Sequence, residues 1–177
     1  IFQHIATGTE SAHRLGIVHR DLKPGNLFIN VDDEEWHLKV MDFGLAKPTD
    51  ANGNDSVELQ TRQGVLLGTP AFMSPERLRY GDTTVQSDLW SLAIIAYELV
   101  CGARPYVADD RFALLFKIAT EPPPVPSETS VGIPMGFDDW FAKACDPDPT
   151  NRFTSATELI QGLRDVLSAS PERKGSV

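Results

Sequence analysis

Between positions 87 and 100 the chain is apolar at nearly every turn: Trp90, Leu92, Ala93, Ile94, Ile95, Tyr97, Leu99 and Val100. A helix without a polar face has nothing to offer water. This stretch is therefore predicted as a central helix with other elements packed on it, capped by Ser87 or Asp88 and stopped by Gly102. Three later stretches, 111–120 (Phe112, Leu114, Leu115, Phe116, Ile118), 137–145 and 155–167, are predicted as helices, the first with an apolar face at helical spacing. Residues 1–15 read as the back half of another helix through Ile1, Phe2, Ile5, Ala12 and Leu15, weakened by Gly8. Short apolar runs read instead as strands: Gly16-Ile17-Val18, Leu27-Phe28-Ile29 and Leu38-Lys39-Val40-Met41.

The polar stretches between these elements differ in kind. His19-Arg20-Asp21-Leu22-Lys23-Pro24-Gly25-Asn26 packs an acid, two cations and a carboxamide between two strand-like runs. Pro24 cannot continue a helix and Gly25 accepts unusual backbone angles, so this is a loop held by short strands, a common place for catalytic side chains. Residues 30–37 form an acidic connector (Asp32, Asp33, Glu34, Glu35), read as a solvated hairpin tip in preference to a metal site. Residues 45–67 show no apolar period and contain the turn sequence Asn52-Gly53-Asn54-Asp55. Pro122-Pro123-Pro124-Val125-Pro126 is either a polyproline ligand or a loop packed on the domain.

Length and composition narrow the classes. A chain of 177 residues, 41% hydrophobic and 23% charged, suits one soluble domain with a substantial core. A net charge of −9 argues against a nucleic-acid partner, which would call for a basic stripe. Cys101 and Cys145 have no metal-ligand partner at short spacing, so both are expected free, buried and reduced, which fits a cytoplasmic location. No run approaches the roughly 18 apolar residues of a membrane span, and no signal peptide opens the chain. The first residue is Ile1, so the sequence is expected to start inside a longer reading frame.

His19-Arg20-Asp21 with Lys23 and Asn26, then Asp42-Phe43-Gly44, then Ser74-Pro75-Glu76, in this order, resembles the signature set of the eukaryotic-type (Hanks-type) serine/threonine protein kinases. The resemblance implies an α+β, mainly α-helical fold: the large C-terminal lobe of a kinase, with short antiparallel strands around the catalytic loop. Residues 1–169 would be that lobe and 170–177 a disordered tail. It implies ATP and Mg²⁺ as cofactors and protein Ser/Thr hydroxyls as acceptors. Asp21 would accept or orient the hydroxyl proton, Lys23 would meet the γ-phosphate, and Asn26 and Asp42 would hold Mg²⁺. His19 would prop the loop, while Phe43 and Gly44 would pack beside Asp42 and hinge it.

In the same resemblance Thr69 would bond Asp21 and Lys23, Glu76 would pair with Arg152, and Asp88 would bond the catalytic loop from below. Arg20 and Lys47 would form a cationic pocket for an activation-segment phosphate, with Thr61 the first candidate acceptor and Ser56 and Thr49 after it, unless these are loop hydroxyls alone. There are departures. Ser74 and Ala93 stand where the family more often has Ala and Gly, and Gly25 stands where many kinases that prefer basic substrates have an acid. The family's glycine-rich loop, its strand lysine and the helix glutamate that pairs with it belong to a small N-terminal lobe and are absent from these 177 residues. The missing N-lobe of the same polypeptide is therefore an expected partner, and these residues alone are expected to be inactive. The competing reading is a non-catalytic interaction module, which would not require Asp21, Lys23, Asn26 and Asp42 together.

Overall fold

The computed structural model describes residues 2–32, 35–43 and 70–169. In chain order these form α1 (Phe2–Arg14), a 3-10 turn (Pro24–Asn26), β1 (Leu27–Asp32), β2 (Glu35–Val40), a second 3-10 turn (Pro70–Phe72), α2 (Pro75–Tyr80), α3 (Val85–Cys101), α4 (Arg111–Thr120), α5 (Pro126–Thr129), α6 (Phe137–Ala144), a third 3-10 turn (Pro149–Asn151) and α7 (Ala156–Ala169). The fold is mainly helical with one two-stranded antiparallel sheet.

Helix α3 runs through the middle. Every residue from Ser87 to Tyr97 is buried, and α6, α7 and the Pro70–Phe72 turn pack on it. Leu89, Leu92, Ile94 and Ile95 lose almost all contact with water, each contributing about 1.5–3 kcal/mol of transfer free energy. The helix starts two residues earlier than its apolar run, because Thr84, and not Ser87 or Asp88, is its cap. Thr84 Oγ1 accepts the Gln86 N–H at 3.2 Å, and Ser87 Oγ accepts the Thr84 N–H at 3.2 Å, closing a reciprocal box. That box leaves Asp88 free to act elsewhere.

The other helices follow the expected faces with two exceptions. Leu15 lies past the end of α1 and is exposed, and on α4 Ile118 is buried while Phe112 and Phe116 point outward. Of the proline run, Pro123 and Pro124 are half-buried and Pro126 is buried at the start of α5, so this is a loop packed on the domain. Cys145 is buried. Cys101 is only partly so, because it closes α3 where the helix leaves the core; both thiols are unpaired.

The hairpin corrects two boundaries. β1 and β2 pair from Leu27↔Val40 to Asp32↔Glu35, so most of the acidic connector is strand and only the tip lies outside the described residues. Residues 16–18 form no strand. Gly16, at φ +73°, ends α1: the Gly16 N–H donates to His13 O at 2.9 Å and the Ile17 N–H to Ala12 O at 2.9 Å. Beyond Val18, the N–H groups of His19 and Arg20 are taken by a side chain of α3. A segment whose amides are already committed has no ladder to offer a neighbouring strand.

Candidate active site

The side chain that takes those amides is Asp88. It is 1% exposed, and a buried carboxylate needs donors. Oδ1 accepts the Arg20 N–H at 2.9 Å; Oδ2 accepts the His19 N–H at 2.7 Å and His13 Nε2 at 2.8 Å. Three elements are thus pinned to one carboxylate: the end of α1, the loop, and the first turn of α3.

From that support the loop turns sharply. Arg20 has φ +70° and Asp42 φ +54°, the two non-glycine residues with left-handed backbone among the described residues. Such conformations cost of order 1–3 kcal/mol each and persist where surrounding bonds hold them. His19 supplies two of those bonds from full burial. Its Nδ1 accepts the Asp21 N–H at 3.3 Å and its Nε2 donates to Met41 O at 2.8 Å, while its ring lies 4.7 Å from that of Phe43. Because a carbonyl can only accept, the ring hydrogen sits on Nε2. His19 therefore ties the loop to the segment holding Asp42 and Phe43.

At the mouth of the loop, Lys23 Nζ lies 2.7 Å from Asp21 Oδ2, both side chains about one-quarter exposed. Pro24 opens a 3-10 turn that brings Asn26 back under Asp21: Asn26 Nδ2 donates to Asp21 O at 2.8 Å and lies 3.5 Å from Asp21 Oδ2. The Asn26 carbonyl accepts the Met41 N–H at 2.8 Å, so the strand register delivers exposed Asp42 directly beyond this bond. The amide nitrogen of Asn26 is used by the loop, which leaves its side-chain oxygen, like the exposed carboxylate of Asp42, available as a metal ligand. Two hard oxygen ligands of this kind fit Mg²⁺ carrying phosphate oxygens. A pocket lined by Arg20, Asp21, Lys23, Phe72, Met73 and Arg77 opens beside Asp21.

Behind the pocket, Arg152 and Glu76 join the turn before α7 to α2. Arg152 Nη1 and Nη2 donate to the two Glu76 oxygens at 3.0 and 2.9 Å, Nη1 also to Gln86 O at 3.1 Å and Nε to Asp146 O at 2.8 Å, with the guanidinium 5.0 Å from the centre of the Trp90 ring. Burial pushes the Glu76 carboxyl up, but the hydrogen bonds and charge of Arg152 together hold it below its ordinary value. Ser87 Oγ adds a bond to Glu76 Oε1 at 3.0 Å.

A family model described as the protein kinase domain matches residues 1–163. The chain belongs to the protein kinase family. It is 35% identical over 155 residues to the probable serine/threonine-protein kinase PknB of Bifidobacterium longum, covering 88% of this chain and 21% of the relative. It is 34% identical over 168 residues to the serine/threonine-protein kinase PknH of Mycobacterium bovis, covering 95% and 27%. It is 33% identical over 174 residues to the serine/threonine-protein kinase PknL of Mycobacterium tuberculosis, covering 97% and 41%. These names put the kinase in the serine/threonine branch. It spans about a fifth to two-fifths of the length of these relatives.

Of the residues singled out in the sequence, the kinase fold brings Asp21, Lys23 and Asn26 into direct contact, sets His19 against Phe43 and Met41, hangs His19 and Arg20 from Asp88, and pairs Glu76 with Arg152. Gly44, Lys47, Thr49, Ser56, Thr61 and Thr69 lie outside the described residues. Two contributors carry no sequence signal. His13 ends an ordinary-looking helix yet bonds Asp88, and Arg77 Nη1 donates to the backbone carbonyl of Arg20. Among the described residues no helix is long and apolar enough to cross a membrane.

Proposed function

We propose that residues 1–169 are the C-terminal lobe of a serine/threonine protein kinase, and that they carry the groups that move the γ-phosphate of ATP to the Ser or Thr hydroxyl of a protein. The observation behind the reading is the convergence on Asp21: its carboxylate is 2.7 Å from the Lys23 ammonium, and Asn26 is bonded to the Asp21 carbonyl. Mg·ATP, when bound, supplies the transferred phosphoryl group and a metal charge on its oxygens. Asp21 orients the acceptor hydroxyl and takes its proton on a carboxylate oxygen. Lys23 offsets negative charge that develops during transfer, and its contact with Asp21 keeps the two groups at one spot. Asn26 and Asp42 offer oxygen ligands to the metal. Arg20 and Lys47 receive the phosphate of a modified activation segment, with Thr61 the favoured acceptor.

The test is a phosphotransfer assay on a peptide mixture containing Ser, Thr and Tyr, using the 177 residues beside a chain extended upstream through a glycine-rich loop and strand lysine. Phosphate on Ser and Thr with the extended chain is expected, none with the shorter one. Asp21→Asn should lower kcat by about 10²–10⁴-fold with an unchanged melting temperature. An inactive extended chain would favour the interaction module instead.

A further inference from the structure

We propose that Arg77 is a positioning residue for Asp21: by donating to the Arg20 carbonyl from α2, it fixes the peptide unit from which the Asp21 side chain is aimed. The inference rests on the reading of Asp21 as the group that takes the hydroxyl proton.

The peptide units around Arg20 are held from two sides. Before Arg20, the N–H groups of His19 and Arg20 are fixed by Asp88 at 2.7 and 2.9 Å. After it, the unit joining Arg20 to Asp21 has its N–H on His19 Nδ1 at a long 3.3 Å and its carbonyl on Arg77 Nη1. Arg20 itself has φ +70°, a conformation a non-glycine residue leaves when the bonds around it loosen. Rotation of that second unit would swing the Asp21 carboxylate away from Lys23 and from the pocket that Arg77 also lines. A guanidinium on a carbonyl is a charge-assisted bond and stronger than a neutral one.

Arg77 is itself well supported. It follows Glu76, whose carboxylate is held by Arg152, and its own carbonyl accepts the Gly81 N–H at 3.0 Å at the end of α2. The position of α2 is thereby passed to the catalytic loop through one side chain. Arg79, one turn-half away on the same helix, makes a bond of the same chemistry to Ala119 O at 2.6 Å, directed at α4 and away from the loop. It is the natural control.

Residue-resolved amide hydrogen exchange on the 177-residue chain tests this without phosphotransfer. Arg77→Met should speed exchange of the Arg20 and Asp21 amides by about tenfold or more, the loss expected for one charge-assisted bond, and leave the amides of Leu92 to Ile94 unchanged. Arg77→Lys, which keeps a cation on a long stem, should recover part of the protection, and Arg79→Met should leave the loop as in the parent. In the extended, active chain Arg77→Met should lower kcat about 10–100-fold while KM for ATP stays within about threefold. Loop amides as slow in Arg77→Met as in Arg79→Met, uniform acceleration across the whole chain, or faster loop exchange with an unchanged kcat would each overturn the proposal. Should Arg77→Met not fold, Arg77→Gln losing the protection that Arg77→Lys retains is the expected result, and equal rates in the two overturn it. Failure of the Asp21 reading is recognised separately, by an inactive parent.

Discussion

Replacing Arg152 by methionine keeps an apolar stem against Trp90 but removes both bonds to Glu76 and those to the Gln86 and Asp146 carbonyls. Glu76, 8% exposed in the parent, would then lose its charged partner Arg152 and keep hydrogen bonds from neutral groups such as the Ser87 hydroxyl. Stranding one member of a buried ion pair costs about 3–5 kcal/mol. For a chain of this size each kcal/mol moves the melting temperature by about 2–4 °C, so a loss of about 6–20 °C is expected. The double variant Glu76→Leu/Arg152→Met should lose less than the two single losses added together, because no buried charge remains. The dependence on pH supplies a second reading. In the parent the Glu76 carboxyl is held below the ordinary 4.5, so its contribution is fully present above that value and is lost as pH falls through the lowered one. In Arg152→Met burial dominates and raises the carboxyl, so stability should instead improve as pH falls from 7 toward 4.5. Thermal denaturation at pH 7 and pH 5 of all four proteins decides it. A loss under about 1 kcal/mol in Arg152→Met, or a double variant as unstable as the summed singles, would refute the argument that an uncompensated buried charge is the cost.

Two further outcomes follow from the loop and its support. Asp88→Asn puts an NH₂ group where three donors now converge, so at least one of the His13, His19 and Arg20 bonds is lost; urea denaturation should show about 1–3 kcal/mol of destabilisation, and unaltered stability would mean the loop is held elsewhere. Gly16→Ala meets nothing within 4 Å but forces a side chain onto φ +73°; a loss of about 1–2 kcal/mol is expected, and a neutral result would show that α1 ends in another conformation.

The α1 and α3 to α7 segments differ in how plainly the sequence announces them. Residues of α3 are apolar all round, and only a central place in the domain satisfies that pattern. The faces of α6 and α7 name their buried side, Phe137, Trp140 and Phe141 on one, Leu159, Ile160 and Leu163 on the other. In α4 the pattern overstates burial, since Phe112 and Phe116 are largely exposed. The strand expected at residues 16–18 fails for a related reason. Its apolar character is real, but backbone amides decide strands: those of Gly16 and Ile17 close the end of α1, and those of His19 and Arg20 just after it belong to a carboxylate 69 and 68 positions away.

The types and order of the chemical groups, an acid, a lysine and an amide in one loop and a second acid at the end of a strand, are written in the chain itself, because short-range spacing and turn residues are local properties. What local properties cannot contain is which distant side chain holds that loop in shape. Asp88 and Arg77 reach it from two separate helices and His13 braces Asp88 from a third, and their bonds exist only once the core around α3 has brought those helices together. The sequence by itself determined the groups proposed to react; packing decided the backbone conformation that holds them.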